Sequence, residues 1–355
     1  MYRLNDKVKN LVPYDAVAGD YKVRLDANES FVDPGEFFKE EIAKAVGKVP
    51  LNRYPDPTSL KLRKAFSKIY GVKEALVVAG NGSDELITVI LGAFLQSGDR
   101  LATLTPDFSM YGFYGETYER KTIQIEKRED LSIDVDQLIA ELKEADPQVF
   151  IFSNPCSPTS LCLKKEEVDR IIKSTEALVV LDEAYMEFSD QSLLSEVENY
   201  DNLLILKTCS KAWGLAALRL GFALSNKRIV DAINSVRSPY NVNAMTQAIG
   251  ELILSHPAYI EGAKKKIIES RENLYTSLLP LEQKGISLSD GTKVPVKRVV
   301  KSETNFVLVE FHDANWAKRV YEKLLKHDII VRILGNFLRI TAGTKDENQE
   351  LKKAL

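Results

Sequence analysis

The 355-residue sequence has little of what metal and disulfide chemistry needs: three cysteines (Cys156, Cys162, Cys209) and three histidines (His256, His312, His327). An odd cysteine count without zinc-type pairing argues against a disulfide framework, and implies reduced thiols and a cytosolic compartment. The three histidines form no His-rich cluster, so no metal is expected. Surplus charge is also missing, with 48 Lys and Arg against 51 Asp and Glu. Without a global basic field, neither nucleic acid nor an anionic membrane is an expected partner, although a local basic pocket is compatible with this balance. The longest apolar runs, such as Ala75-Leu-Val-Val-Ala79 and Ala177-Leu-Val-Val-Leu181, fall far short of a membrane span. Met1–Lys9 carries no signal-peptide stretch, a further reason to expect a cytoplasmic protein. What is present is ordinary globular usage, 45% hydrophobic and 28% charged, over a length that suits one large domain and a smaller one.

Between residues 75 and 225 short β-branched runs alternate with segments of helical period. The expected strands are Ala75–Ala79, Arg100–Thr105, Lys121–Ile125, Val149–Phe152, Ala177–Leu181, Leu203–Lys207 and Leu218–Leu224, with helices such as Ser83–Leu95 and Lys165–Thr175 between them. Strands apolar along their whole length imply a mostly parallel central sheet flanked by helices, an α/β fold. Ala244–Leu281 reads as helical with a break near His256-Pro257. Gly285–Leu355 reads as a smaller α+β unit: Phe306–Phe311, a helix from Asp313, Ile329–Ile333 and Phe337–Thr341. The expected division is 1–40 as an N-terminal arm and the start of the small domain, 41–243 as the large domain, and 244–355 as connecting helices and the small C-terminal domain.

Ligands of open α/β sheets bind beyond the carboxyl ends of the strands, so the residues at those exits carry the information. They are Gly80-Asn-Gly-Ser-Asp-Glu85, Ser153-Asn-Pro-Cys-Ser-Pro-Thr-Ser160, Asp182-Glu-Ala-Tyr185 and Thr208-Cys-Ser-Lys-Ala-Trp-Gly214. Gly80 and Gly82 ahead of a helix start suit a phosphate cradle, yet such turns are often only turns; a dinucleotide motif would need glycine where Glu85 stands. Asp182 alone reads as well as a helix N-cap, and Tyr185 as a core ring. Lys211 is either a solvated loop cation or a desolvated amine able to form a Schiff base. Arg219, inside an apparently apolar strand, demands an anion. Together an amine, a carboxylate, a helix terminus and an arginine are what pyridoxal phosphate requires. No Ser nucleophile elbow or Walker loop competes.

Further stretches add to these: Asn10-Leu-Val-Pro-Tyr14, Leu25-Asp-Ala-Asn-Glu-Ser30, Asn52-Arg-Tyr-Pro-Asp-Pro57, Asp182–Phe188, Gly214–Phe222, Ser238-Pro-Tyr-Asn-Val-Asn243 and Phe337-Leu-Arg-Ile-Thr341. In this order and spacing the chain resembles, over nearly its whole length, the fold-type I pyridoxal-phosphate aminotransferases of class I/II, and within them the histidinol-phosphate aminotransferases. The resemblance implies a catalytic set of Lys211, holding the cofactor covalently and moving the α-proton, Asp182 on the pyridine nitrogen, and Tyr185 on the ring oxygen. It places Gly82, Ser83, Asp84, Ser210 and Arg219 around the phosphate and Phe108 on the ring face, with Tyr111 the lesser candidate for stacking. Tyr54 would reach the cofactor of a second subunit, so a homodimer with shared sites is implied. Tyr14, Asn28, Arg332 and Arg339 would meet the substrate; two forked guanidiniums can accept either a phosphate or the carboxylates of glutamate.

One departure stands out. The family's Asn-Pro-Thr-Gly is Ser157-Pro-Thr-Ser160 here, and that asparagine serves the cofactor's ring oxygen. The contact would be lost, bridged by water, or supplied by Asn154. The implied reaction is transamination of L-histidinol phosphate with 2-oxoglutarate, giving imidazole-acetol phosphate and glutamate, in histidine biosynthesis. Rivals on the same scaffold are an aromatic amino-acid aminotransferase or a threonine-phosphate decarboxylase of cobalamin biosynthesis. A non-enzymatic regulatory module is a further rival, but it would have no need to keep both Lys211 and Asp182.

Overall fold

A computed structural model of the chain describes residues 2, 3, 5, 9 and 17–355; Tyr14 lies outside the described residues. The strands are β1 (Val23–Leu25), β2 (Val77–Gly80), β3 (Arg100–Thr105), β4 (Lys121–Glu126), β5 (Val149–Ser153), β6 (Leu178–Asp182), β7 (Leu203–Thr208), β8 (Gly221–Ser225), β9 (Ile286–Ser287), β10 (Lys293–Val294), β11 (Val296–Val300), β12 (Phe306–Phe311), β13 (Ile329–Leu334) and β14 (Phe337–Thr341). The large sheet has the order β2-β8-β7-β6-β5-β3-β4. β7, β6, β5, β3 and β4 are parallel, and β8 runs antiparallel to both β2 and β7.

Because successive side chains alternate faces, each central strand feeds two cores. Phe150, Phe152, Val179, Leu181, Leu203 and Ile205 pack with Leu138, Leu142, Val168 and Ile171 of the helices Val135–Ala145 and Lys165–Lys173. Their neighbours Val149, Ile151, Leu178, Val180, Leu204 and Leu206 pack on the other face with Leu86, Ile90, Val230 and Ile233 of the helices Gly82–Phe94 and Lys227–Val236. Both faces are dry, which is why these strands are apolar throughout.

A second sheet, β1-β13-β14-β12-β11, gathers the C-terminal segment and takes in β1 from near the N-terminus, in parallel register Val23↔Ile329. Asp313 is the N-cap of the helix Ala314–Lys326, accepting from the Trp316 amide. The long helical stretch breaks where expected: Ala244–Leu254 ends before His256, and Pro257 opens Pro257–Leu278 at a position where its missing N–H costs nothing. Ile260, Ala263 and Ile267 of this second helix pack in the large sheet's core, while Leu274 and Leu278 pack in the small one's. One helix thus joins the two cores.

The structure corrects the expected strand Leu218–Leu224. Ala216–Leu218 is a 3-10 turn, Arg219 follows with φ +50°, and β8 starts only at Gly221. Gly221 lies against the start of the helix Gly82–Phe94 so closely that a Cβ there would sit 2.5 Å from the Ser83 nitrogen. The opening strand shifts as well: Glu74–Leu76 forms a 3-10 turn and β2 is Val77–Gly80.

Candidate active site

Asp182 is the last residue of β6, in register with Ser153 of β5 and Leu206 of β7. The residue is 4% exposed, and burial pushes the pKa of its carboxyl up to about 7. Two donors partly oppose that rise: the Tyr111 hydroxyl to Oδ2 at 2.8 Å and the Ala184 amide to Oδ1 at 3.0 Å. A carboxyl at this depth gains most from a cationic partner.

The same cavity is lined by Ser83, Asp84, Phe108, Tyr111, Ser153, Ser157, Ala184, Tyr185, Thr208, Ser210, Lys211 and Arg219. Its floor on one side is the N-terminus of Gly82–Phe94. Gly82 has φ +86°, and Asn81 contributes no side-chain cap bond among the described residues, so the first-turn amides remain available to an anion. Glu85, where a dinucleotide loop would carry glycine, folds back to accept from the Asn81 amide at 2.6 Å. A Cβ on Gly82 would meet Arg219 Nη2 at 3.0 Å, so the glycine is what lets the guanidinium close on the loop. Arg219 is not buried in a strand, as its sequence context implied. It is half-exposed on a left-handed turn, with Nη2 donating to Asp84 Oδ2 at 3.1 Å and Nη1 to Ser210 Oγ at 3.5 Å. The Asp84 carboxylate is therefore the partner of the arginine, and only its backbone amide suits an anion.

Lys211 reaches into this cavity from the β7 exit. Its Nζ donates to the Ala27 carbonyl at 3.1 Å and stands 5.8 Å from the centre of the Tyr185 ring. Phe108 meets Tyr111 edge-on at 5.4 Å. Tyr111, the lesser stacking candidate, is fully buried and bonded to Asp182, so it supports the acid rather than covering a ring.

Asn154 does not come to the site. Its Oδ1 accepts from the Leu163 amide at 2.7 Å and its Nδ2 donates to the Leu163 carbonyl at 3.2 Å. With both ends of its amide held by one backbone residue, it cannot stand in for the missing asparagine. Ser157 does line the cavity, and its Oγ accepts from Arg339 Nη1 at 3.2 Å. Arg332 and Arg339 are direct cross-strand partners on β13 and β14. Like charges so placed repel, and an anion between them relieves the repulsion. Asn28, expected at the substrate, is instead 1% exposed, with its amide engaged by Tyr185 and Thr341. Tyr54 is 81% exposed and stacks on Tyr240 at 4.5 Å, away from this chain's own cavity.

Two buried networks escaped the sequence reading. Lys207 Nζ lies 2.6 Å from Glu187 Oε1 and 3.5 Å from Glu183 Oε2, and Tyr70 donates to Glu187 at 2.9 Å. This network ties the segment after Asp182 to the segment before Lys211. Its signal was available, since Lys207 interrupts the otherwise apolar run Leu203-Leu-Ile-Leu-Lys-Thr208. The second is a buried pair, Lys127 to Asp107 at 3.6 Å, in which Asp107 also accepts from Ser153. No sequence pattern announced that one.

The donor set suits a phosphorylated ring with a cationic nitrogen. Helix amides, Ser210 and Arg219 gather at the Gly82–Asp84 turn, and the buried, high-pKa Asp182 carboxyl and Lys211 line the same cavity. Those are the demands of pyridoxal phosphate, and the residues present fit it.

Comparisons with known proteins agree. The chain is 39% identical over 349 residues to a histidinol-phosphate aminotransferase of Clostridium novyi, covering 97% of this chain and 94% of that one. It is 37% identical over 350 residues to histidinol-phosphate aminotransferase 1 of Carboxydothermus hydrogenoformans, covering 97% and 95%. In fold it matches a histidinol-phosphate aminotransferase of Sinorhizobium meliloti, solved in complex with pyridoxal-5'-phosphate, with a TM-score of 0.86 at 23% identity over 99% of this chain and 96% of that one. Residues 20–355 match the family model described as aminotransferase class I and II, and the chain belongs to that family.

Proposed function

We propose that this chain is a pyridoxal-phosphate-dependent aminotransferase that takes the amino group of L-histidinol phosphate to 2-oxoglutarate, releasing imidazole-acetol phosphate and glutamate. The observation that carries the reading is the convergence of Lys211, Asp182, Tyr185, Ser210 and Arg219 on one cavity, in a chain whose relatives at 33–39% identity are named for this reaction. When bound, the cofactor supplies an electron sink for the charge left at the substrate α-carbon. The protein's residues supply the rest. Lys211 Nζ takes up and returns the α-proton as a general base and acid. Asp182, ionised by a cationic partner, would hold the ring nitrogen protonated, with Tyr111 keeping that carboxyl aimed. Phe108 would cover the ring, the Tyr185 hydroxyl would serve the ring oxygen, and Arg219, Ser210 and the Gly82–Asp84 amides would hold the phosphate. Arg332 and Arg339 would grip the substrate's anionic end, with Ser157 steadying Arg339.

A homodimer belongs to this reading. Tyr54 and Leu51 are more than 80% exposed and Tyr240 is 40% exposed, an apolar surface that a second copy would cover while Tyr54 completes its cofactor site. The division into segments 1–40, 41–243 and 244–355 fits the two sheets and the helix joining them. The free thiols Cys156, Cys162 and Cys209 suit a cytoplasmic setting.

The test offers histidinol phosphate, aromatic amino acids and threonine phosphate side by side, each with 2-oxoglutarate and pyridoxal phosphate. Glutamate formed fastest from histidinol phosphate is expected; carbon dioxide release from threonine phosphate would replace the reading with decarboxylation. Lys211→Ala is expected to fold, to lose the visible absorbance of protein-linked cofactor, and to lose turnover. Normal transamination by that variant would overturn the assignment.

A further inference from the structure

We infer that Asn28 is a positioning residue that fixes which way the Tyr185 hydroxyl hydrogen points, and so commits that phenol to donate into the cofactor cavity. The inference rests on the proposed cofactor chemistry and assigns Asn28 a task different from substrate contact.

The Asn28 backbone amide can only donate, and it donates to Thr341 Oγ1 at 3.0 Å. The Thr341 hydroxyl, accepting there, turns its own hydrogen to Asn28 Oδ1 at 3.3 Å. That contact sets the amide with its oxygen toward Thr341 and its nitrogen toward Tyr185, 2.8 Å from the phenol oxygen. An amide nitrogen has no acceptor lone pair, so Tyr185 must accept from Asn28. Its hydrogen is then free of Asn28 and is directed elsewhere, and Tyr185 lines the cavity that also holds Asp182 and Lys211.

Asn28 is built in firmly enough to impose this. It is 1% exposed, its φ of +53° is one that asparagine tolerates better than most side chains, and its carbonyl accepts from Asn305 Nδ2 at 2.9 Å. The phenol is equally confined, 6% exposed with the Phe306 ring edge-on at 5.6 Å. The three residues Asp26, Ala27 and Asn28 each meet a different group of the site: Arg339 Nη2 donates to the Asp26 carbonyl at 2.7 Å, Lys211 to Ala27, and Asn28 to Tyr185. Thr341 and Arg339 share β14, so one strand of the small sheet carries both the hydroxyl that orients Asn28 and the substrate-facing arginine. With Asn154 turned away, the side-chain donors left to a ring oxygen are Tyr185 and the Ser157 hydroxyl, which accepts from Arg339 and keeps its own hydrogen.

A donor to that oxygen favours its ionised form and so lowers the pH at which the visible band of the protein-bound cofactor changes. The experiment titrates that band from pH 5 to pH 10 in wild type, Asn28→Asp, Asn28→Ala, Tyr185→Phe and the two double variants. Asn28→Asp turns the bond around, because a carboxylate accepts from the phenol; its midpoint is expected to rise by about one pH unit, a tenfold change in protonation. Asn28→Ala, which adds no charge, is expected to shift it the same way by less, and to serve if the aspartate variant does not fold. In the Tyr185→Phe background Asn28→Ala should shift nothing and Asn28→Asp should lose most of its effect, since the residue acts through the hydroxyl. Full additivity of either change with Tyr185→Phe, or unmoved midpoints in the single variants, overturns the inference. A wild type with no cofactor band would instead defeat the proposed function, so the two failures are distinguishable.

Discussion

The buried acid makes a quantitative demand on the protein freed of cofactor. Asp182 sits at the end of β6 with its carboxyl held from an ordinary 3.8 up to about 7 by burial, against the Tyr111 and Ala184 bonds. In the unfolded chain the same carboxyl ionises near its ordinary value. Between about pH 4 and pH 7 the folded protein therefore keeps a proton that the unfolded chain has released. Stability falls as pH rises through that window and is level with respect to this group above it. At about 1.4 kcal/mol per pH unit, the full span amounts to roughly 4 kcal/mol, an order-of-magnitude figure. The assay is urea unfolding of cofactor-stripped wild type and Asp182→Asn from pH 4.5 to pH 8.5, compared as a difference between the two proteins so that other titrating groups cancel. The wild type should lose ground to the asparagine variant steadily up to about pH 7 and then run parallel to it. With pyridoxal phosphate bound, a cation faces the carboxyl and the slope should shrink. A flat difference in the stripped proteins, or wild type gaining on the variant as pH rises, would refute the claim that the acid is stored in its costly environment for a cationic partner.

Two further outcomes concern the frame of the site. Ser160 has φ +63° and is fully buried, and its hydroxyl has no hydrogen-bond partner among the described residues. Its carbonyl accepts from the Glu303 amide, a bond that glycine would keep. Ser160→Gly is thus expected to raise stability by about 1 kcal/mol despite the greater freedom of glycine when unfolded, read as a higher urea midpoint; a lowered midpoint would contradict it. Lys207→Met should leave Glu183 and Glu187 buried without their cation and cost about 3–5 kcal/mol, read as a large drop in Tm. Adding Glu187→Gln should recover part of that loss, and the absence of any recovery would mean that the ion network is not the cause.

Local sequence determined the strand exits and therefore the neighbourhood of the site. Runs such as Val149-Phe-Ile-Phe152 and Leu178-Val-Val-Leu181 are apolar on both faces because both faces are covered, and each ends where a polar residue must find a partner. Asp182, Lys211 and the Gly80–Glu85 turn were legible for that reason. Helix starts were legible where a cap announces them, as at Asp313.

Tertiary structure decided what each polar group bonds to, since that depends on which backbone arrives beside it. Arg219 reads as a strand residue from its neighbours, yet the chain turns through Ala216–Leu218 and places it half-exposed over Gly82. Asn154 and Ser157 lie three residues apart in one loop; the first is consumed by the Leu163 backbone and the second faces the cavity. Asn28 and Tyr111 carry no local mark at all. Their partners, Tyr185 and Asp182, lie 157 and 71 residues away; Asn28 meets its acceptor only where the two sheets come together, and Tyr111 meets its own only once the large sheet is folded.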